Sequence, residues 1–449
     1  MIEICAVGGY NEIGKNMTAI RVDDEVIILD MGLHLDPYIK LTDEEDIINI
    51  NINQLRKVGA IPDDSVINDW RKDVKAIVPT HAHLDHVGAI MFLAKKYDAP
   101  ILCTPFTAEV IKGITTEEKI TITNEIKTMN VNSIYYVSDN LKIEFINITH
   151  SVPQTVMVAI HTKEGIIIYA NDFKFDDHPI IGKKPNYKKL EELGQQGVIA
   201  LICDSTGANK ESKTPSETVA KEMLRDVMIG TNSDGKAVIV TTFSSHLARL
   251  KSIIEFGNKM NRKVVLLGRS LAKYVQAGKN IGIADFANNI EIVKYGSKIK
   301  KKLGQIQKKG KEKFVLVVTG HQGEQKATLS KMIKKTLPFK FDPEDHVIFS
   351  CTVIPTQTNI ENRRILEDQL KHNRVRIFKD IHQSGHASKE DLRDLINLVK
   401  PDNIIPAHGE PEMKDALIQL AIEKGYEKGK NVYLIKNGER IKTTKNINR

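Results

Sequence analysis

Between residues 81 and 86 the chain carries His81, His83, Asp85 and His86, four side chains with metal-binding nitrogen or oxygen within six positions. Imidazole nitrogen with carboxylate oxygen is the ligand set of zinc, and with more oxygen it also suits manganese. His81 and His83 stand two apart, so on an extended segment their rings face one way and can close on one ion. Asp85 and His86 begin the next turn and point to a second position a few ångströms away. Packing offers no reason for such a cluster. Two ions need more ligands than one loop supplies, and three later places each deliver one: His150, Asp172 and His408. Asp30, in VIILDMG, is placed to accept a hydrogen bond from the metal loop and so hold ligands in position.

Each of these residues sits where an apolar run stops. Residues 74–78 read as a buried, β-branched-rich strand ending at Pro79-Thr80. Residues 141–148 alternate like a strand and end in Thr149-His150, 165–169 end in Ala170-Asn171-Asp172, and 403–405 end in Pro406-Ala407-His408-Gly409-Glu410. A site assembled from strand ends rests on rigid elements. The chain opens with strands over 2–7, 18–22 and 26–30, separated by turn signals at Gly8-Gly9 and Asp23-Asp24. Residues 37–70 are polar without a clean period and read as a long connection with short helices. A helix over 88–97, a strand over 99–102 and a helix over 104–112 follow.

After Asp204 the pattern becomes a strict alternation. Strands are expected at 237–243, 263–268, 314–319, 346–351 and 375–378, with helices at 246–260, 270–278, 324–336 and 360–372. That describes a parallel, Rossmann-like domain inserted in the chain. It has no GxGxxG turn, so no dinucleotide is expected. Because His408 follows it, the first domain must resume afterwards, and the substrate cleft is expected between the two. Thr241 to His246 (TTFSSH) and Arg269-Ser270 read either as substrate contacts or as ordinary strand-to-helix caps.

The 449 residues, 41% of them hydrophobic, suffice for two domains with cores of their own. No apolar stretch approaches the ~20 residues that span a bilayer. MIEICAVGG lacks the basic and long apolar regions of a signal peptide, so a cytoplasmic location is the default expectation. Cys5, Cys103, Cys203 and Cys351 are scattered, never in a CxxC pair, and read as buried free thiols of a reducing compartment. The net charge of +8 suits a polyanionic partner without establishing one. Its densest part, 298–313 (KIKKKLGQIQKKGKEK), reads either as a solvated, mobile surface loop or as a phosphate-backbone contact. The polar tail, 442–449, is expected to fray.

HxHxDH, a later lone His, a later lone Asp and an early Asp after a strand resemble the metallo-β-lactamase fold. Asp204-Ser205-Thr206, SGHAS at 384–388 and PAHGE at 406–410 resemble its β-CASP nuclease branch. GGYNEIGKNM, at 8–17, is similar to the opening of the ribonuclease J family, and the resemblance runs through the whole chain. The implied fold is α/β: a metallo-β-lactamase αββα sandwich from 1–207 and 388–449, with a Rossmann-like β-CASP domain inserted at 208–387. The archaeal type is implied, without the C-terminal domain of bacterial members. Ala82 and Leu84 stand where many bacterial members have Gly and Glu, but neither is a ligand.

Assembled on that pattern, one ion takes His81, His83 and His150, the other takes Asp85, His86 and His408, and Asp172 gives one oxygen to each. The cofactor expected is a pair of divalent ions, zinc first, with manganese or magnesium as alternatives. Such a pair lowers the pKa of a shared water and holds phosphodiester oxygens as charge builds, which suits hydrolysis of a phosphate ester. His386 is the candidate to protonate the leaving oxygen, oriented by Asp204 as the resemblance implies; these two and Asp85 form the catalytic set. His382, Gln383, Ser384, Gly385, His386 and Ser388 form the expected substrate loop, which in the family binds a terminal RNA phosphate. The implied function is a 5′-to-3′ exoribonuclease preferring 5′-monophosphate ends, acting in RNA decay and maturation. Its implied partner is single-stranded RNA, with no membrane, and a homodimer is left open. The alternatives are an endoribonuclease of the cleavage-and-polyadenylation type, an inactive RNA-binding scaffold, which would have lost ligands, and a small-molecule hydrolase, which would not need the inserted domain.

Overall fold

A computed structural model describes residues 1–44 and 51–443. They divide into two compact units, the first from residues 1–177, 182–214 and the chain from Ser384 on, the second from 178–181 and 215–383. The tail expected to fray lies outside the described residues from 444 on, as does the 45–50 part of the long connection. The rest of that connection carries the helices Leu35–Glu44 and Ile52–Lys57 and the 3-10 stretch Asp64–Asp73.

Two sheets face each other in the first unit. One has the order Arg440–Thr443, Ile2–Gly8, Met17–Val22, Glu25–Leu29, Val74–Val78, Ile101–Cys103, Ile126–Thr128. It is antiparallel up to Glu25–Leu29 and parallel from there on. The other has the order Ile404–Ala407, Val198–Asp204, Ile166–Ala170, Val156–His161, Lys142–Asn147, Ile134–Tyr136. Side chains from both inner faces, among them Ile4, Ile27, Val78, Phe145, Val158 and Ile202, form one buried cluster. Burying each contributes about 1.5–3 kcal/mol, which is why these strands are apolar on that face. Helices Tyr187–Gln196, Lys389–Val399 and Pro411–Glu423 cover the outer face of the second sheet through Leu190, Leu193, Leu392, Leu395 and Leu417. All four cysteines are buried and free.

Strand pairing brings the chemistry-bearing ends together. In the first sheet Leu29 pairs with Val78 in parallel, so Asp30 and the metal loop emerge side by side. In the second, Ala170 pairs with Cys203 and Asp204 with Ala407, so Asp172, Asp204 and His408 leave at one edge. Asp30, Asp172 and His408 all take the left-handed region, with φ of 58°, 48° and 49°. Non-glycine residues pay for that conformation unless their surroundings hold it, and it clusters at functional sites. Gly32 permits the closest approach: a Cβ there would lie 1.6 Å from the Asp85 carbonyl oxygen.

The second unit is a single parallel sheet in the order Glu291–Val293, Lys263–Leu267, Phe314–Val318, Val238–Thr241, His346–Phe349, Arg376–Phe378. Three expectations change in the two units. The helix expected at 88–97 is broken into the short pieces Ile90–Leu93 and Ala94–Lys96. The helix expected at 324–336 is confined to Thr328–Ile333, because Glu324 turns its carboxylate back onto the Gln322 N–H at 2.9 Å and holds a loop. The basic run is no mobile loop over most of its length: Gly296–Lys309 is a helix whose Ile299, Leu303 and Ile306 enter the core. TTFSSH is a strand-to-helix junction in which His246 is buried, caps Leu247–Lys259 and faces Glu217 at 3.4 Å, while Ser244 bonds Ser270 at 2.9 Å.

Candidate metal centre

His81, His86, Asp172 and His408 are almost completely buried, and they converge with His83, His150 and Asp85 in the first unit. Asp172 is the pivot. Its Oδ2 lies 3.5 Å from His81 Nε2 and 3.4 Å from His150 Nε2, while its Oδ1 lies 3.2 Å from His86 Nε2 and 3.4 Å from His408 Nε2. His83 Nδ1 completes the first group, 3.0 Å from His81 Nε2 and 3.2 Å from His150 Nε2. Asp85 Oδ2 completes the second, 3.7 Å from His86 Nε2 and 3.9 Å from His408 Nε2.

The donors fit a pair of cations. Ligands about 2.0–2.2 Å from a tetrahedral zinc stand about 3.4 Å from one another, close to the separations within each group. Asp172 Oδ1 and His408 Nε2 are buried without a hydrogen-bond partner. Buried polar atoms are rarely left so, and a shared cation would satisfy both. Burial, the largest cause, drives the pKa of His81 and His150 well down and pushes His83 down to about 4. Neutral imidazoles are the form that binds a metal. At His86 burial also opposes the charge, but Asp172, Asp30 and Asp85 outweigh it and raise the pKa. At Asp172 burial likewise opposes charge, and His86, His408 and His386 overcome it, so the carboxylate is held well below the usual range.

A hydrogen-bonded shell holds the ligands. Asp30 Oδ1 accepts from the Thr80 N–H at 2.7 Å, and its Oδ2 lies 2.8 Å from His86 Nδ1. His150 Nδ1 donates to the Gly385 carbonyl at 2.7 Å, which leaves Nε2 for the centre. A Cβ on residue 385 would come within 2.8 Å of the His150 ring, so this approach needs glycine. Asn16, buried on the loop before Met17–Val22, gives a role that the sequence reading missed. Its Oδ1 accepts from His408 Nδ1 at 2.8 Å and its Nδ2 donates to the Asp85 carbonyl at 3.1 Å. The signal was present in GGYNEIGKNM, but Asn16 and His408 are 392 residues apart in the chain and nothing local couples them.

His386 lies beside the centre, its Nε2 3.8 Å from Asp172 Oδ2 and its Nδ1 2.8 Å from Asp204 Oδ2. The other Asp204 oxygen accepts from the Thr206 N–H at 2.8 Å and from its hydroxyl. Asp204, His386 and His408 also come close enough to suggest an ion, but both Asp204 oxygens are already engaged. Burial opposes charge on His386; Asp172 and Asp204 outweigh it and raise its pKa to about 9. Ser384 Oγ accepts from the His386 N–H at 3.0 Å. Ser388 supports the loop from beneath, buried against Thr214 at 2.9 Å with its N–H on Asp391 at 3.2 Å. His382 and Gln383 belong to the second unit, where the His382 ring is 6.1 Å from that of Phe243 and Gln383 reaches Met223 Sδ at 3.6 Å.

Replacing His408 with Ala is expected to remove the ion of the second group and spare that of His81, His83 and His150. Elemental analysis should then give about one ion per chain instead of two. Two ions per chain in the variant would take His408 out of the ligand set.

Three family descriptions match the chain. "Metallo-beta-lactamase superfamily" covers residues 11–186, "Ribonuclease J, beta-CASP domain" covers 235–367, and "Zn-dependent metallo-hydrolase RNA specificity domain" covers 374–434. Ribonuclease J of Methanocaldococcus jannaschii is 43% identical, with 98% of each chain covered. Ribonuclease J of Pyrococcus abyssi is 44% identical over 98% of this chain and 96% of its own. Ribonuclease J 1 of Streptococcus pyogenes is 32% identical over 99% of this chain but 74% of its own length. A crystal structure of a protein of unknown function from Enterococcus faecalis V583 superposes with a TM-score of 0.65 over 98% of this chain and 99% of that one, at 17% identity, a likeness of fold. Metal-ligand ends on two facing sheets, a parallel second unit and full-length relatives above 40% identity lead to one conclusion: the chain belongs to the ribonuclease J family, with the metallo-β-lactamase and β-CASP fold and the divalent-metal chemistry of that family.

Proposed function

We propose that this chain, a metal-dependent ribonuclease that binds RNA, degrades single-stranded RNA from the 5′ end, prefers a 5′-monophosphate, and works with zinc in cytoplasmic RNA decay and maturation. The first unit is read as the metallo-β-lactamase domain and the second as the inserted β-CASP domain. The observation that carries the reading is Asp172, whose two oxygens each face a separate group of metal-type donors while His386 stands 3.8 Å away, paired with Asp204. Two ions in those groups would supply an activated water and neutralise phosphodiester oxygens. Zinc suits the imidazole-rich set.

The protein's own groups do the rest. Asp204 holds His386 with Nδ1 occupied, so Nε2 is the atom free to give a proton to the departing oxygen. Ser384 and Gly385 are small, and Gly385 adds no side chain where the loop meets His150. In this reading the loop offers donors to a terminal phosphate, and a 5′-hydroxyl forfeits those charge-assisted bonds. Each cut leaves a new 5′-phosphate, so the same pocket receives the shortened strand. 5′-Monophosphorylated linear RNA is therefore expected to yield mononucleotides from the 5′ side, and a circular form of the same RNA to be largely spared. Equal rates on both forms, with oligonucleotide products, would make the endonuclease reading the better one.

A further inference from the structure

The chain's positive charge is concentrated in one place. Residues 291–313 hold nine lysines against two glutamates, in a chain whose net charge is +8. The helix Gly296–Lys309 within this stretch buries Ile299, Leu303 and Ile306, which are spaced to lie on one face. At 100° per residue, Lys301 and Lys308 fall opposite that face and Lys298 and Lys309 on its flank, and all four are exposed. None has an ion-pair partner among the described residues, whereas Lys302 is neutralised by Glu291 at 2.6 Å and Lys311 by Asp342 at 2.8 Å. At the start of the stripe Tyr295 is 53% exposed, with Lys294 Nζ 5.5 Å and Lys298 Nζ 5.9 Å from its ring.

We propose that this lysine stripe and Tyr295 form an auxiliary surface for the backbone of single-stranded RNA, an inference that rests on the ribonuclease reading. Unpaired cations repeated along about 16 Å of helix match a polyanion in strand form, and a flanked aromatic ring offers a face for a base. An anionic membrane is disfavoured by the helix itself. A basic amphipathic helix binds a bilayer by sinking its apolar face, and here that face is already used in the core. A long strand offers more phosphates than the few nucleotides that undergo cleavage, so the surface contributes affinity for long substrates and leaves the chemical step alone.

The test compares the full chain with the variant K298Q/K301Q/K308Q/K309Q, whose changes lie on the exposed helix face and should leave thermal unfolding unchanged. Binding of a 5′-phosphorylated 30-nucleotide RNA is measured against salt. The slope of log affinity on log salt should fall by about 2–3 in magnitude and low-salt affinity by at least about tenfold. The rate on a 5-nucleotide RNA should not change. A variant with the parent's slope, beside a parent that cleaves RNA, overturns this inference alone. A parent that neither binds nor cleaves RNA overturns the proposed function. Loss of binding to phosphatidylserine vesicles with an unchanged RNA slope would give the surface to a membrane and also overturn the inference.

Discussion

His386→Ala is expected to keep two metal ions per chain and to slow cleavage of 5′-phosphorylated RNA by about 10²–10⁴, the range that loss of a positioned proton donor produces. The two halves of that result rest on different contacts. His386 Nδ1 is occupied by Asp204 at 2.8 Å, and His386 belongs to neither of the two donor groups that share Asp172. Its removal therefore takes no member from either group. Asp204 would remain bonded to Thr206, so the edge of the sheet should stand. The decisive measurement pairs elemental analysis with single-turnover cleavage. Loss of metal together with activity would make His386 a ligand. Retention of both would leave it without a role in the reaction.

A substrate with a better leaving group separates chemistry from binding. If His386 protonates the departing oxygen, a leaving group that needs no proton should recover much of the lost rate in His386→Ala. A histidine that only grips phosphate would show no such recovery, because its contribution would not depend on the leaving oxygen.

The strand ends were the legible part of this molecule. Val74–Val78 stops where His81 and His83 begin, and buried β-branched runs preceding His150, Asp172 and His408 are local patterns that a single sequence displays. The meeting of Asp172 and His408 depends on parallel pairing of Ile166–Ala170, Val198–Asp204 and Ile404–Ala407, the last two some 200 residues apart, and what suggested it was the number of ligands two ions need, with the resemblance, not periodicity. The supporting shell was less visible. Asn16 is a polar residue in a loop, and its role exists only once His408 and Asp85 arrive from far along the chain. The basic run failed for another reason: its lysines dominate the composition, while the three apolar residues that make it a helix are too few to outweigh them in a local reading. In 88–97 and 324–336 the apolar spacing was helical, but short-range turns interrupted it, and such interruptions are set by neighbours outside the window.

Asp172→Asn tests the pivot itself. An amide has nearly the shape of the carboxylate, so packing changes little in a residue that is 1% exposed. The charge that offsets the surrounding imidazoles disappears, however, and one oxygen becomes an N–H₂ donor that cannot bind a cation. Both groups lose their shared member together, so metal content should fall below one ion per chain, whereas His408→Ala should stop near one. Cleavage should fall below detection. Thermal unfolding supplies the control: added zinc should raise the melting temperature of metal-stripped parent protein, because a ligand bound only to the folded state stabilises it by about 2.7 kcal/mol at a hundred times its dissociation constant. The variant should melt cooperatively at a temperature that zinc does not move. A cooperative variant that still gains stability from zinc and binds two ions would show that the two groups do not share Asp172. The assignment of a bridging carboxylate would then be wrong.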